Sequence, residues 1–326
     1  MTKKELKIVF MGTPDFAVAT LRELVEGGYE VAGVVTSPDK PVGRHGSALQ
    51  PSAVKLYALE KGLPVLQPEK LRDESFLVEL RALQADIQVV VAFRMLPEIV
   101  WNMPRFGTFN LHASLLPKYR GAAPINWAIM NGEKETGVTT FFLTNEIDTG
   151  RIILQRKLAI TDTDDAGIVH NALMIIGAEL VTETVDLVLK KDGVLATIPQ
   201  EALYAQSGIL SPAPKIFTET CRVDWQQSVT KVYNFIRGLS PYPTAWTEII
   251  NPSGVTTTMK IFASEKISET HDLSYGAIRT DGKNYLNVAA VDGFIRILSL
   301  QIAGKKRITV KELLNGTKID EHWKMK

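Results

Sequence analysis

Three polar residues of this chain have the types and spacing needed for chemistry at the edge of a sheet. Asn110 and His112 lie two residues apart in a predicted strand, so their side chains leave the same face of it. The strand ends just after them, and Asp148 follows the next predicted strand. Since ligands of an open parallel sheet bind outside the carboxyl ends of its strands, we expect these side chains to share a site there.

An amide, an imidazole and a carboxylate together suit the transfer of an acyl group to an amine. The amine is then the nucleophile, so no serine or cysteine nucleophile is needed. Its attack on a carbonyl builds negative charge on the oxygen, to which Asn110 and a protonated His112 can donate hydrogen bonds. Asp148 can orient the imidazole, favour its charged form and accept a proton from the amine, directly or through water.

Two of these residues, His112 and Asp148, also have an ordinary structural explanation. A single histidine at a strand end, among five in the chain, is more often a surface or core residue than a catalyst. Asp148 precedes Thr149 and Gly150, and by itself it is better explained as a turn residue. The case for a site therefore depends on the whole segment in which these residues stand.

The elements that would position these residues alternate along the first part of the chain. Apolar runs predict strands at 7–11, 31–36, 87–92, 108–112 and 138–143, and periodic patterns predict helices at 18–26, 52–61, 74–83, 124–130 and 166–190. This alternation indicates an α/β fold with a Rossmann-like, mostly parallel sheet. The loop at 12–16 has one glycine where a dinucleotide site needs three, and no glycine-rich phosphate loop occurs, so NAD and ATP are disfavoured.

The later part of the chain has a different pattern. Residues 204–215 (YAQSGILSPAPK) predict a linker, and a helix follows with Val229, Val232, Tyr233 and Ile236 on one face. Alternating runs broken by turn residues predict strands of a small β-barrel or sandwich at 245–250, 256–263, 285–290 and 294–300. We therefore expect a first domain at 1–203, a linker at 204–215 and a second domain at 216–326.

Composition defines the class of protein. The chain has 326 residues, 45% hydrophobic and 22% charged, which is typical of a soluble globular protein with two domains. The single cysteine, Cys221, predicts a reducing compartment, and no apolar stretch predicts a signal peptide or a membrane span. We expect a cytoplasmic protein without a metal site.

The net charge of +1 divides into −4 over 1–206 and +5 over 207–326. This asymmetry fits either an anionic partner of the second part or a lysine-rich solvated surface.

A resemblance to a known family rests on the segment NLHASLLPKYRGAAPINWAI, followed by ETGVT and IDTG. This pattern resembles the folate-dependent formyltransferases. Further matching segments lie at 10–16, 36–44, 51–55, 62–64, 120–124 and 300–306. The resemblance therefore runs nearly the whole length of the chain and includes the second domain, which is typical of the members that act on initiator tRNA.

The resemblance implies a Rossmann-like catalytic domain followed by an OB-like tRNA-binding domain. The implied reaction moves the formyl group of 10-formyl-tetrahydrofolate, a cosubstrate, to the α-amine of methionyl initiator tRNA. Asn110, His112 and Asp148 would be its catalytic residues. Contacts to folate are implied for two loops, with the residues Ser114, Leu115, Leu116, Pro117, Arg94, Met95 and Leu96. Contacts to tRNA are implied for the loop at 37–50 and a cationic run, with the residues Lys40, Arg44, His45, Lys305, Lys306 and Arg307.

The sequence departs from the family pattern at 92–95, which reads Ala-Phe-Arg-Met where a Tyr-Gly start is usual. Two other functions stay open: the same chemistry on a nucleotide-sugar amine, and a tRNA- or folate-binding module without catalysis. The loop at 37–50 and the basic second domain argue against the first, and the presence of all three polar residues argues against the second. We expect a monomer with no obligate protein partner, no membrane attachment and no metal.

Overall fold

A computed structural model describes residues 1–42 and 48–326 of the chain. Their contacts form two compact units. The first unit comprises Met1–Gly121, Glu135–Ala159 and His170–Pro212, and the second comprises Ala122–Lys134, Ile160–Val169 and Ala213–Lys326. The units are therefore interleaved along the sequence, with two short stretches of the first half assigned to the second unit.

The first unit is built on one seven-stranded sheet and a two-stranded hairpin. Its strands are β1 (Lys7–Gly12), β2 (Glu30–Val35), β3 (Lys40–Val42), β4 (Ala48–Gln50), β5 (Val65–Leu66), β6 (Ile87–Val91), β7 (Thr108–His112), β8 (Glu135–Phe142) and β9 (Ile152–Ala159). The order across the large sheet is β5-β2-β1-β6-β7-β8-β9, and β3 pairs with β4. All neighbours from β5 to β7 are parallel, whereas β8 and β9 are antiparallel. The predicted Rossmann-like, mostly parallel sheet is confirmed.

Helices connect these strands along the chain. They are α1 (Asp15–Glu26), α2 (Ala53–Glu60), α3 (Glu74–Ala82), α4 (Glu98–Trp101), α5 (Pro124–Met130), which belongs to the second unit, and α6 (Ala166–Lys190). The predicted serine start of α2 is observed, since the Ser52 side chain accepts a hydrogen bond from the backbone N–H of Lys55. In the described part of the chain, no helix combines the length and hydrophobicity needed to cross a membrane.

Packing explains the single glycine in the first loop. A Cβ on Gly12 would lie 2.7 Å from the Cβ of Ala17 and 3.0 Å from the carbonyl oxygen of Val91. The glycine therefore lets β1 turn into α1 against the end of β6, and it needs no bound nucleotide to explain it. All five residues of β6 are buried, because this strand is covered on both faces.

The second unit contains the predicted barrel. After a short helix α7 (Tyr204–Ser207), the chain runs without regular secondary structure from 208 to 217. The further elements are α8 (Val229–Gly238), β10 (Ala245–Ile250), β11 (Thr256–Ser268), β12 (Ile278–Thr280), β13 (Leu286–Ala289), β14 (Gly293–Ile302), β15 (Arg307–Thr309), α9 (Val310–Gly316) and β16 (Lys324–Met325). The strand order is β12-β13-β14-β11-β10-β16, with β15 on β14. A bridge between Ala277 and Lys324 brings the two edges together, so the antiparallel sheet is nearly closed.

The core of this barrel is apolar and includes the predicted face of α8. Val229, Val232, Tyr233 and Ile236 are all buried. They belong to one cluster with buried residues of the strands, among them Ile261. The helix begins at a serine cap, since Ser228 accepts a hydrogen bond from the backbone N–H of Lys231.

The strand that carries Asn110 and His112 is fixed by the core on its other face, which gives a stability prediction. Leu111 is 3% exposed and packs against α6 at Gly177, where an added Cβ would lie 2.8 Å from its Cδ2 atom. Leu111→Ala should lower the free energy of unfolding by about 2–5 kcal/mol, because it removes buried methyl groups and leaves a cavity. Leu56→Ala is the matched control, since Leu56 on α2 is 56% exposed, and it should cost less than about 0.5 kcal/mol. Denaturant unfolding of both variants measures this, and equal losses would contradict the assignment of Leu111 to the core.

Candidate active site

The candidate site lies where the strand order of the first unit reverses. Successive strands β1, β2 and β5 extend the sheet in one direction, and β6 and β7 extend it in the other. In such a sheet the crevice for a ligand forms at the reversal, outside the carboxyl ends of the strands. The loops after β1, β6 and β7 meet this condition. The predicted residues Asn110 and His112 are on β7 at this edge.

The structure brings His112 and Asp148 together. The Nδ1 atom of His112 lies 3.7 Å from Oδ2 of Asp148, and both side chains are largely buried. Asn110 is two residues earlier on the same strand, is half-buried and has no side-chain hydrogen-bond partner within residues 1–42 and 48–326. The site thus combines an ion-pairing couple with an amide available to a ligand.

The backbone fixes the tautomer of His112. Its Nε2 atom is 2.8 Å from the carbonyl oxygen of Tyr119, which can only accept, so Nε2 carries a hydrogen and donates. Nδ1 is therefore the nitrogen that remains for chemistry. At 3.7 Å from Oδ2 of Asp148 it is too far for a direct hydrogen bond, although the carboxylate faces it.

Asp148 is held in an unusual backbone conformation. Its φ angle is 55°, in the left-handed region that few residues other than glycine adopt. Its Oδ2 atom accepts a hydrogen bond of 2.9 Å from the backbone N–H of Gly121. The following Gly150 has no space for a side chain, because a Cβ would lie 1.6 Å from the carbonyl oxygen of Phe142. Asp148 therefore has the backbone conformation of a turn residue, and its carboxylate also faces His112.

Two residues near Asp148 were not predicted from the sequence. Gln200 donates from Nε2 to the carbonyl oxygens of Asp148 and Gly150, at 2.8 and 2.9 Å. Arg120 donates to Oε1 of Gln200 from Nε and Nη2, at 3.0 and 2.6 Å. Gln200 follows a proline and begins a short 3-10 helix, Gln200–Leu203, and no periodic pattern marks it. Gln200 is a polar residue that the fold buries completely, and this burial is visible only in the structure.

The turn at 114–117, implied to contact folate, is stabilised by neighbouring strands. Thr139 donates to the carbonyl oxygen of Ser114 at 2.6 Å and accepts from the backbone N–H of Leu116 at 3.2 Å. Gln155 donates to the carbonyl oxygen of Leu116 at 2.9 Å. Ser114, Leu116 and Pro117 are buried, and Leu115 is half-buried. Several backbone groups of the turn are thus paired inside the protein, which makes it a fixed wall of the site.

The three residues implied to contact folate after β6 have three different surroundings. Arg94 donates to the carbonyl oxygen of Glu69 at 2.8 Å and also to that of Pro68. Met95 is 68% exposed, whereas Leu96 is buried in the core of this unit. Arg94, the main departure from the family pattern, therefore connects this loop to the segment after β5.

The hairpin β3–β4 belongs to the loop implied to contact tRNA. Lys40 is exposed at its start, and Arg44 and His45 lie outside the described residues. The base of the loop is fixed by Asp39, which accepts from Nζ of Lys55 at 2.6 Å and from Nε2 of Gln67 at 2.8 Å. These two hydrogen bonds, first that from Lys55, hold the pKa of Asp39 below its ordinary value.

The second cationic candidate is the turn between β14 and β15 in the second unit. Lys305, Lys306 and Arg307 are all exposed there. Arg307 donates from Nε to Oγ of Ser299 at 2.9 Å, and its guanidinium lies 4.3 Å from the centre of the Phe262 ring. Arg307 is thus held on the barrel surface.

Within residues 1–42 and 48–326, no group of three or more histidine, cysteine, aspartate or glutamate side chains could hold a metal ion. The polar groups of the site are those expected for hydrogen bonding and proton transfer.

Comparison with protein families gives two matches. The family described as Formyl transferase matches residues 6–185, and the one described as Formyl transferase, C-terminal domain, matches residues 215–318. A methionyl-tRNA formyltransferase from Parabacteroides distasonis is 65% identical over 318 residues, which cover 98% of this chain and 98% of that protein. One from Bacteroides fragilis is 61% identical over 326 residues, covering 100% and 99%.

Solved structures with the same fold are more distant in sequence. WlaRD, a sugar 3N-formyl transferase solved in the presence of dTDP and 5-N-formyl-THF, is similar with a TM-score of 0.63 and 21% identity, over 92% of this chain and 99% of that one. The N-formyltransferase from Helicobacter canadensis, in complex with folinic acid and dTDP-3-aminofucose, has a TM-score of 0.59 and 19% identity, over 93% and 100%. At this identity the likeness concerns the fold alone.

The Asp39 contacts give a prediction on pH dependence. A lowered pKa in the folded state stabilises the protein above the ordinary carboxyl pKa, and this stabilisation is lost as the pH falls through the folded value. Lys55→Met should raise the pKa of Asp39 towards its ordinary value. Protonation of Asp39 at low pH should then cost the protein less of its stability. Carboxyl ¹³C NMR titration measures the shift. Lys61→Met is the control, because Lys61 pairs with Glu60 instead, and an unchanged Asp39 titration in Lys55→Met would refute the assignment.

Proposed function

The chain belongs to the formyl transferase family, and we propose that it transfers a formyl group from 10-formyl-tetrahydrofolate to the α-amine of methionyl initiator tRNA. The product is N-formylmethionyl-tRNA for translation initiation. Identity of 61–65% to relatives of that name, over almost the full length of both chains, supports this reaction. The observation that carries it within the site is that His112 faces Asp148, beside an Asn110 amide that has no partner among residues 1–42 and 48–326.

Asn110 serves the oxygen of the formyl group. Attack by the amine on the formyl carbon turns the carbonyl oxygen into an oxyanion, which needs donors already in place. The Asn110 side chain has no partner among the residues that the structure describes, so its N–H groups can donate without breaking another bond. Its position on β7, between paired neighbours β6 and β8, holds the amide rigidly.

His112 and Asp148 supply charge and take up the proton. With Nε2 bound to the carbonyl of Tyr119, a protonated His112 presents its second N–H at Nδ1, towards the space beside Asp148. That N–H can donate to the developing oxyanion. Asp148 accepts the proton that the amine loses, directly or through one water molecule, and the folate nitrogen takes up a proton as its bond to the formyl carbon breaks. The Gly121 amide keeps the carboxylate in place meanwhile.

The cosubstrate site suits the loops after β6 and β7. These strands are adjacent and parallel, so their following loops leave the sheet side by side. The fixed turn at 114–117 and the loop at 94–96, anchored by Arg94, form neighbouring walls there. Bound 10-formyl-tetrahydrofolate supplies the formyl group, and this chain's residues hold and polarise it. We propose that no metal takes part.

The tRNA would be held through its phosphates by cations of both units. Lys40, with Arg44 and His45 in the same loop, serves in the first unit, and the exposed run Lys305, Lys306 and Arg307 serves in the second. Phosphate contacts of this kind weaken as salt rises, because bound counterions must be displaced. We propose that the protein acts in the cytoplasm as a monomer, without an obligate protein partner.

The decisive assay is formyl transfer from 10-formyl-tetrahydrofolate to methionyl initiator tRNA at two salt concentrations, beside a panel of nucleotide-sugar amines. We expect transfer to the tRNA, with a KM for tRNA that rises at the higher salt. Transfer only to a sugar amine would keep the chemistry and reject the tRNA acceptor. Absence of transfer to any acceptor, with tRNA or folate still bound, would leave a binding module.

The double variant Lys305→Gln, Lys306→Gln should reduce the salt dependence of the KM for tRNA. Lys283→Gln is the control, since Lys283 is an exposed lysine elsewhere on the barrel, and it should leave that dependence unchanged.

The catalytic assignment predicts losses in kcat at two positions. Asn110→Ala and His112→Ala should each lower kcat by roughly 10²–10³-fold, because each removes a donor to the oxyanion. His322→Ala, at an exposed histidine, is the matched control and should retain full activity. Circular dichroism should show that the fold of all three variants is unchanged. Near wild-type turnover by His112→Ala would rule out its role at the oxyanion.

A further inference from the structure

Gln200 has all the hydrogen-bonding capacity of its amide occupied, although it lies far from the other site residues in sequence. It is completely buried. Its two N–H groups donate to the carbonyl oxygens of Asp148 and Gly150, at 2.8 and 2.9 Å. Its Oε1 atom accepts two hydrogen bonds from Arg120, at 3.0 and 2.6 Å. A buried amide with four partners has one orientation only.

Arg120 determines that orientation. A reversed amide would place the oxygen of Gln200 against two carbonyl oxygens and its NH₂ group against the guanidinium. Because the guanidinium has donors and no acceptor, only the observed orientation satisfies every group. The next residue, Gly121, donates its backbone N–H to the carboxylate of Asp148 at 2.9 Å. Residues 120 and 121 thus hold Asp148 from two sides, one of them through Gln200.

The conformation of Asp148 makes this support necessary. Its φ of 55° is uncommon for a residue with a side chain, and the loop before it is exposed, with Ile147 61% accessible. Thr144 and Thr149 bond to each other and to the carbonyl of Glu146, so these bonds stay within the loop. Gln200 ties the same loop to a separate segment of the unit, at the residue whose carboxylate faces His112.

We propose that Gln200, oriented by Arg120, is a positioning residue for formyl transfer, which holds the Asp148 carboxylate against His112. This inference rests on the proposed function. Gln200 contacts the backbone of Asp148 and acts through it, so its loss should affect the transition state more than the binding of either substrate. A displacement of the Asp148 carboxylate by about 1 Å is enough to slow formyl transfer.

Gln200→Met is the principal test, because methionine keeps the length and burial of the side chain and removes its four hydrogen bonds. We expect kcat to fall by about 10- to 100-fold, while the KM values for tRNA and folate change by less than about twofold. Gln88→Met is the matched control: Gln88 is equally buried, on β6, and accepts from Thr108 instead.

The outcome separates a positioning role from a packing role. A loss of kcat no greater than in Gln88→Met would overturn the proposal. So would a loss of kcat that accompanies a lower melting temperature and leaves the ¹⁵N chemical shifts of the His112 imidazole unchanged. If Gln200→Met does not fold, Arg120→Met leaves Gln200 in place with its oxygen unpaired, and Arg120→Lys restores one donor. We expect activity in the order wild type, Lys variant, Met variant. Wild-type activity in Arg120→Met would equally overturn the proposal.

A readout without turnover keeps this inference distinct from the proposed function. At a fixed pH, the imidazole ¹⁵N chemical shifts of His112 should change in Gln200→Met and stay unchanged in Gln88→Met. If wild-type protein transfers no formyl group and this shift is still observed, the reaction is wrong and the positioning is correct. If wild-type protein is active and the shift is absent, only the positioning is wrong.

Discussion

The bond between His112 and the carbonyl of Tyr119 is the constraint on which the site depends. It commits one ring nitrogen as a donor and leaves the other directed towards Asp148. Neither the carbonyl of Tyr119 nor the carboxylate of Asp148 could hold the buried imidazole alone. The ring keeps its place between these two oxygen groups because the backbone fixes both of them. The turn that follows β7 supplies the carbonyl, and the loop after β8 supplies the carboxylate. The chemistry therefore depends on how two loops meet over one strand end.

Those loops are fixed by polar side chains from the sheet itself. Thr139 on β8 and Gln155 on β9 satisfy backbone groups of the turn at 114–117, and Thr139 is completely buried. The antiparallel strands β8 and β9 thus do more than extend the sheet, because their side chains support the turn beneath the site.

Sequence reasoning predicted the elements with clear periodic patterns. The bounds of β7, α5 and α6 are those expected, and the alternating runs of the second domain form the barrel strands. Strand β9 was not predicted, although its residues after Ile153 alternate between half-buried and exposed, because charged residues interrupt the apolar pattern. Asn110, His112 and Asp148 could be proposed from residue type and strand position. Gln200 could not, since its role comes from a tertiary contact across 52 residues, and Arg94 points to carbonyls that no local pattern identifies.

The place of Gln200 in the chain limits how the enzyme can be dissected. The family match to the first part ends at residue 185, and α6 ends at Lys190, both before Gln200. A fragment cut at either point would contain Asn110, His112 and Asp148 with β1 to β9 complete, and would still lack the amide that supports Asp148. A fragment that contains the complete site therefore has to extend to Pro212, the last residue of the first unit. Chimeras joined after that residue would combine 213–326 of one parent with 122–134 and 160–169 of the other, although all three stretches belong to the same unit.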